Sequence, residues 1–338
     1  MAVLRVVSLL PSATELLHFL LVKLNARHDE PVAVLVGRSH ECDWPEEYAA
    51  LPVLTSSRIN GALSCAEIDR QVRDELAAGV SLYTVDTELL LSLRPDLVVT
   101  QSLCQVCTVD YAMVVALLTD ADPCPRILDT NPSSFYDVFQ DIHRLADALG
   151  APDVGHELVT ELQARVDAIL AHVVVRSSPP RLKIGFCEWT DPIFCGGHWT
   201  PQMIEMAGAA HPLNNTRGPG KGGWPSRTIS PAEFVAMDPD VIIVAPCGMD
   251  LDTSKKETAA MLMQPWWTPL RGKPLYVVNG NHMFNRPGPR LVDALEWLVS
   301  IVHPASTLSF PDFPAERYPN HDAVKTDEID VNCSVIMP

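Results

Sequence analysis

The stretch of sequence that decides the fold is Gly37-Arg38-Ser39-His40-Glu41-Cys42-Asp43-Trp44-Pro45, which follows the apolar run of residues 32–36. A short, continuous apolar run is typical of a parallel strand buried on both faces. Six polar or reactive side chains follow it without a break, and Pro45 disfavours a direct continuation into helix. In open α/β sheets, ligands bind beyond the carboxyl ends of the strands. We therefore expect this loop to border a binding cleft.

Length and composition narrow the class of protein. The chain has 338 residues, of which 47% are hydrophobic and 20% charged, and a formal net charge of −17. This length is sufficient for two lobes. An acidic surface repels nucleic acid and anionic membrane, so we expect neither as a partner.

The N-terminus and the cysteines bear on the compartment. No apolar run reaches the roughly 18 residues of a membrane span. Polar side chains interrupt the first 24 residues, which predicts a strand, a turn and a helix rather than an export signal. Nine cysteines occur without the dense spacing of a secreted disulfide scaffold. We therefore expect a cytoplasmic protein without a membrane span.

Strand-like and helix-like stretches alternate along the chain, which predicts an α/β fold with two doubly wound lobes. The predicted division is an N-terminal lobe (residues 1–132), a helical segment (133–180), a C-terminal lobe (181–303) and a Pro-rich tail (304–338). The helical segment contains one long helix, predicted over residues 153–175, which would span about 34 Å. We expect this helix to bridge the lobes, with a ligand cleft between them.

Local signals support this division. Glu15 and Glu67 each lie three residues after a Ser, the spacing of a capping box at a helix start. The two halves also share a motif of a helix end, a Pro-Asp turn and a buried strand: Leu93-Arg94-Pro95-Asp96-Leu97-Val98-Val99 and Met237-Asp238-Pro239-Asp240-Val241-Ile242-Ile243. This repetition predicts two lobes of related plan.

Polar, aromatic and thiol side chains follow the predicted strands of both halves. Because the carboxyl ends of parallel strands meet at one sheet edge, two such edges facing each other would form a cysteine-rich cleft. The residues expected there are Ser8, Ser12, Arg38, His40, Glu41, Cys42, Gln101, Cys104, Cys107, Glu188, Trp189, Asp191, Cys195, His198, Cys247, Asn279, Asn281, His282, Asn285 and Arg286. Plainer alternatives exist: Arg38 could form an ion pair with Glu41 or Asp43, and a lone loop histidine is more often a surface residue than a ligand.

Cys104-Gln105-Val106-Cys107 has a spacing that suits either a metal chelate or a redox pair, with plain packing as an equal alternative. A helix N-terminus at this point would lower the pKa of a thiol. A metal site for zinc or iron would combine this pair with Cys42 and His198. The same residues define an alternative function, a metal- or thiol-dependent enzyme with Cys42 as a possible nucleophile.

At these residues the chain resembles the cobalamin/iron-chelate (class III, helical-bridge) substrate-binding proteins, which have a periplasmic-binding-protein-like fold. The resemblance extends from residue 3 to about residue 304. The matching segments are residues 7–15, residues 37–45, Gly196-Gly197-His198-Trp199, Met206-Ala207-Gly208, Asp238-Pro239-Asp240, Cys247-Gly248 and Asn285-Arg286-Pro287-Gly288-Pro289-Arg290. The second and last of these are similar to a narrower, cobalamin-binding subgroup.

The resemblance implies a corrinoid, haem or ferric chelate held between two lobes. It also implies apolar contacts to a macrocycle from the aromatic side chains Trp44, Trp189, Trp199 and Trp224. Arg38 and Arg286 would meet the carboxylates or amides of the ligand. Typical members are exported and deliver cargo to a transporter. The N-terminal sequence of this chain does not have the pattern of an export signal, which argues against a transporter as partner. The leading hypothesis is a cytosolic binding protein for a cobalamin-like corrinoid or another metal chelate.

Overall fold

The computed structural model describes residues 2–102, 109, 111–119, 121–173, 181–308, 310 and 312–320, and it has the predicted architecture of two α/β lobes. The N-terminal lobe contains the strands β1 (Leu4–Ser8), β2 (Ala33–Gly37), β3 (Thr55–Ser57), β4 (Tyr83–Val85), β5 (Leu97–Thr100) and β6 (Arg126–Asp129). Its helices are α1 (Pro11–Asn25), α2 (Cys65–Ala77), α3 (Thr87–Ser92) and α4 (Tyr111–Leu118).

The linking helices are α5 (Asp137–Ala148) and α6 (Pro152–Leu170). The C-terminal lobe contains the strands β7 (Ile184–Thr190), β8 (Ile193–Cys195), β9 (Arg227–Thr228), β10 (Val241–Val244), β11 (Leu275–Val278) and β12 (Ala315–Arg317). Its helices are α7 (Trp199–Met206), α8 (Pro231–Met237), α9 (Leu251–Leu262) and α10 (Leu291–Val302). None of the helices in the described residues has the length and apolarity needed to cross a membrane.

Each lobe is built on its own sheet. In the N-terminal lobe the order is β2-β1-β5-β6, and all neighbours are parallel. In the C-terminal lobe the order is β12-β11-β10-β7-β8-β9, with a parallel centre of β7, β10 and β11 and antiparallel strands on both sides. Every residue of β5 and β10 is buried, as expected of central parallel strands covered on both faces.

The predicted repetition between the lobes is confirmed by matching hydrogen bonds at the two Pro-Asp turns. Asp96 accepts a hydrogen bond from the backbone N–H of Arg5 at 2.7 Å, and Asp240 accepts one from Lys183 at 2.7 Å. Arg94, one residue before the Pro-Asp pair in the first half, has a positive φ, as does Asp238 in the second. The two Pro-Asp turns therefore join the sheet through the same type of hydrogen bond.

The bridging helix α6 is shorter than predicted: it covers 19 residues, from Pro152 to Leu170. Pro152 favours the first turn because it has no N–H to leave unpaired. The helix packs against α1 of one lobe and α10 of the other, and its buried side chains belong to one hydrophobic core that extends through both lobes. The bridge is therefore part of the core, which restricts large hinge motions.

The structure tests the two predicted capping boxes and describes the start of the Pro-rich tail. The capping box at Ser64 and Glu67 is confirmed, but that at Glu15 is wrong. Helix α1 starts at Pro11, so the Ser12 side chain lies inside the first turn and cannot cap it. In the Pro-rich tail, β12 pairs antiparallel with β11, and Phe313 stacks on Trp297 with 4.8 Å between ring centroids.

Glu15 is a fully buried carboxylate that joins the two lobes. It accepts hydrogen bonds from Arg286 (Nη1–Oε1, 3.3 Å) and Arg290 (Nε–Oε2, 3.0 Å), whose side chains are almost completely buried. Asp43 binds Arg286 at 2.8 Å and supplies the second negative charge. Buried charges are tolerated only when they are paired and hydrogen-bonded. These four residues form a neutral set, called here the interlobe ion cluster.

We expect Glu15→Gln to lower the free energy of unfolding by about 3 kcal/mol, because it leaves two buried guanidinium groups with one carboxylate. Urea unfolding followed by circular dichroism measures the change. Glu47→Gln is the matched control, since Glu47 is exposed and its ion pair with His18 lies at the surface. This control should lose less than about 1 kcal/mol. Equal stability of the two variants would contradict the assigned role of Glu15.

Candidate functional site

The loop of residues 38–45 follows β2 and is shaped by Arg38. The guanidinium donates hydrogen bonds to the carbonyl oxygens of Ser39 (3.2 Å), Cys42 (3.1 Å) and Ala49 (2.8 Å). The alternative ion pair with Glu41 or Asp43 is therefore wrong, because the loop curls around the guanidinium with its carbonyls pointing inward. Arg38 fixes the loop, and its contact with a ligand stays a prediction.

Cys42 faces the protein interior. Its side chain is 2% exposed, and its Sγ lies 3.0 Å from the hydroxyl of Thr14, which in turn bonds the buried Ser8 at 2.9 Å. Burial raises the pKa of the Cys42 thiol, although hydrogen bonds with Thr14 and Ser39 act in the opposite direction. A thiol that stays protonated is a poor nucleophile and a poor metal ligand. Both chemical roles considered for Cys42 therefore lack support.

His40 and Glu41 are two polar side chains of this loop that water can reach. His40 Nδ1 lies 2.7 Å from Thr55 Oγ1, and its Nε2 lies 3.9 Å from Glu41 Oε1. Burial lowers the pKa of His40. The Glu41 side chain is 42% exposed, and partial loss of hydration raises its pKa to about 7, although the charge of Arg286 acts in the opposite direction. A neutral imidazole thus lies beside a carboxyl group that titrates near neutrality.

Asp43 fastens this loop to the C-terminal lobe. Besides Arg286, its carboxylate accepts hydrogen bonds from Asn281 at 2.6 Å and His282 at 3.1 Å. Burial acts to raise the pKa of Asp43, but the hydrogen bond from His282 and the charge of Arg286 outweigh it, so the pKa lies below its usual range. The loop therefore follows the position of the C-terminal lobe.

Trp44 and Arg286 are occupied by contacts within the protein. The indole of Trp44 lies 4.1 Å below the guanidinium of Arg290, a cation–π geometry. Arg286 is 6% exposed and also donates to Asn281 at 2.7 Å. These intramolecular contacts do not test whether Trp44 and Arg286 also touch a ligand, so their ligand contacts stay predictions.

A second set of interlobe contacts lies at the start of α2. The backbone N–H of Cys65 donates to Glu257 of α9 at 3.1 Å, which also satisfies the positive end of the helix dipole. The indole N–H of Trp189 donates to the carbonyl oxygen of Cys65 at 3.1 Å. Cys65 Sγ lies 3.9 Å from the sulfur of Met249. These contacts, called here the α2 latch, hold the lobes together at Trp189.

The remaining aromatic and histidine candidates lie around the start of α7. His198 is half-buried and stacks on Trp199 with 5.7 Å between centroids. Burial and, to a lesser extent, the charge of Arg217 lower the pKa of His198. Trp199 is 6% exposed and its indole N–H donates to the Phe284 carbonyl, whereas Trp224 is 62% exposed. No hydrogen bond or ring contact among the described residues joins this group to loop 38–45.

The proposed metal site and cysteine-rich cleft find no support in the part of the chain that the structure describes. Cys104 and Cys107 lie outside the described residues, and Gln101 is buried at the start of that gap. Within the described ranges, no group of three or more His, Cys, Asp or Glu residues could hold a metal ion. Cys195 is fully buried in the C-terminal lobe and Cys247 is half-buried.

Sequence reasoning placed Asn281 and His282 at the cleft and Asp43 in the loop that borders it, and hydrogen bonds join these three residues across the lobes. It assigned no interlobe role to Glu15, Glu257 and Arg290, which also hold the lobes together. Glu15 carried one available signal, since it is an acidic residue within the mostly apolar sequence of α1. Glu257 carried none, because its partner is a backbone N–H 192 residues away.

Solved structures of several binding proteins have folds similar to that of this chain. The vitamin B12-binding protein BtuF of Vibrio cholerae matches with a TM-score of 0.59 and 18% identity, over 90% of this chain and 98% of its own. A haem-binding protein from Pseudomonas aeruginosa matches with a TM-score of 0.64 and 20% identity, over 94% and 99%. The haem-binding protein RhuT from Roseiflexus sp. RS-1 gives 0.62 and 22%, over 90% and 99%.

Comparison with curated protein sequences gave no match. The family model described as periplasmic binding protein matches residues 35–269, which is well over half of the chain. The match begins in β2 and includes loop 38–45, the bridging helix and the Pro-Asp turn at Asp240. The chain therefore belongs to the periplasmic binding protein family.

Proposed function

We propose that this protein binds a metal-containing tetrapyrrole between its lobes, with a cobalamin-like corrinoid as the first candidate and haem as the second. The observation that carries the proposal is the docking of loop 38–45 onto the C-terminal lobe through Asp43 and Arg286. The loop that borders the cleft is thereby held against the C-terminal lobe. Similar folds in proteins that bind vitamin B12 or haem support this ligand class.

His40, Glu41 and Trp189 have the chemistry for such a ligand. An indole offers a flat apolar face to a macrocycle. A protonated Glu41 can donate a hydrogen bond to a ligand amide or carboxylate, and His40 can accept or donate one. Arg38, Trp44 and Arg286 would act mainly by holding these groups in position.

Entry of a ligand requires the α2 latch to open. The indole N–H of Trp189 donates to the carbonyl oxygen of Cys65, and the backbone N–H of Cys65 donates to Glu257. These two hydrogen bonds are part-buried, and they cost less to break than the buried ion pairs of the interlobe ion cluster. The lobes would therefore part at the latch while the ion cluster and bridging helix stay in contact.

The alternative of a metal- or thiol-dependent enzyme has no comparable support. The thiol of Cys42 is buried with a raised pKa, and His198 contacts Trp199 rather than a thiol.

For the compartment, we propose the cytoplasm, as predicted from the sequence. Fractionation of cells with markers for each compartment tests this, and recovery in an exported fraction would refute it. That this protein does not act with a membrane transporter likewise stays a prediction.

Titration with aquocobalamin and, separately, with haemin should give saturable changes in visible absorbance. We expect Trp189→Leu to weaken binding by about 0.5–1.5 kcal/mol, the value of one aromatic contact. Trp266→Leu is the matched control, because Trp266 packs on Phe234 within the C-terminal lobe. Tighter binding of cobalamin than haemin would support the corrinoid. No binding of either ligand would refute the proposal.

Binding of haem should weaken as the pH rises through about 7, because Glu41 then loses its proton and faces the two ionised propionates of haem. A loss of about tenfold, ~1.4 kcal/mol, is expected between pH 6 and 8. Binding of cobalamin, whose peripheral groups are neutral amides, should change much less. Isothermal titration calorimetry across this pH range measures both.

Glu41→Gln should abolish this pH dependence, because the amide cannot ionise. Glu46→Gln, at an exposed position in the same lobe, should retain it. If Glu41→Gln keeps the full pH dependence, another group is responsible and Glu41 does not face the ligand.

A further inference from the structure

Cys187 and Cys195 lie directly opposite each other on the antiparallel strands β7 and β8. The backbone N–H of Gly196 donates to the carbonyl oxygen of Phe186 at 3.4 Å, which is the hydrogen bond expected beside a non-hydrogen-bonded pair, and the register shifts on the other side, between Cys187 and Trp189. In such a non-hydrogen-bonded pair the Cα atoms are about 4.5 Å apart and the side chains approach closely. Disulfides need Cα atoms about 4.4–6.8 Å apart. The backbone geometry therefore permits a bond.

The two thiols also share one environment. Directly opposed residues project from the same face of a sheet, and both cysteines belong to the same hydrophobic cluster of the C-terminal lobe. Both are free and fully buried, and burial raises the pKa of each thiol. Cys195 Sγ lies 3.5 Å from the carbonyl oxygen of Arg227 in β9, an exposed edge strand of two residues. Fraying of this short strand would expose Cys195.

We propose that Cys187 and Cys195 form a redox-active pair that closes into an intramolecular disulfide when a small-molecule disulfide such as oxidised glutathione is present. The Cys195 thiolate attacks the glutathione disulfide and releases one glutathione thiolate. The Cys187 thiolate then attacks the Cys195 sulfur of the mixed disulfide and releases the second. The two cysteines lose two electrons and two protons in total, and the oxidant is reduced to two glutathione molecules.

This bond would act on the contact between the lobes. The segment between the two cysteines carries Glu188 and Trp189, and Trp189 donates to Cys65 in the α2 latch. A disulfide at the base of this hairpin would fix the position from which Trp189 reaches the other lobe. The pair itself depends only on the fold, so it can be tested without any ligand.

The test is to equilibrate the full chain in a series of reduced-to-oxidised glutathione ratios, by refolding from urea so that burial does not block the reaction. Acid quenching, alkylation in denaturant and tryptic digestion follow. The peptide of residues 184–217 contains Cys187 and Cys195 as its only cysteines. We expect it to lose two hydrogen atoms in mass and to take up no alkyl group once the pair is oxidised.

Sequence proximity alone also favours this bond, so the comparison is with the same chain kept in urea. In the folded chain the equilibrium constant for the disulfide should be at least about tenfold higher, which corresponds to a shift of roughly 30 mV. Cys195→Ala should abolish the mass loss, and Cys124→Ala, at an exposed cysteine, should leave it unchanged. A constant no higher than in urea, or a doubly alkylated peptide at every ratio, would overturn the proposal.

Discussion

The burial of Glu15 between Arg286 and Arg290 is the interaction on which the arrangement of the two lobes depends. A carboxylate without access to water is stable only if cations surround it, and both cations come from the other lobe. Asp43 then neutralises the excess positive charge and brings loop 38–45 with it. One electrostatic requirement therefore sets the lobe contact and the position of the loop that borders the cleft.

The hydrophobic core also holds the two lobes together. Helix α6 packs between α1 and α10, so the apolar surface that it buries is shared between the lobes. Separating the lobes completely would expose this surface to water as well as breaking the ion cluster. The α2 latch is different, because it consists of two part-buried hydrogen bonds and one sulfur contact rather than buried ion pairs. The structure thus combines a permanent contact near the bridge with a weaker contact at the latch.

Cysteines have several distinct roles in this protein. Cys42 is held as a protonated thiol against Thr14, and Cys65 supplies backbone groups to the latch while its own pKa is raised to about 12 by burial. Cys187 and Cys195 oppose each other within a hydrophobic cluster. A cysteine-lined cleft was a reasonable expectation from their positions after strands. In the described part of the chain, Cys42 and Cys195 are buried in the core and Cys247 is half-buried, whereas Cys104 and Cys107 lie outside the described residues.

The sequence by itself determined the two-lobe α/β plan, the bridging helix, the capping box at Ser64 and the repeated Pro-Asp turns. These features depend on hydrophobic periodicity and turn chemistry, which act over a few residues. Tertiary structure alone decided that Glu15 is an ion-cluster residue rather than a cap, and that Arg38 binds carbonyls rather than carboxylates. It also decided that Glu257 meets Cys65. The physical reason is distance along the chain: Glu15 and Arg286 are 271 residues apart, and no local pattern specifies which buried charges will meet.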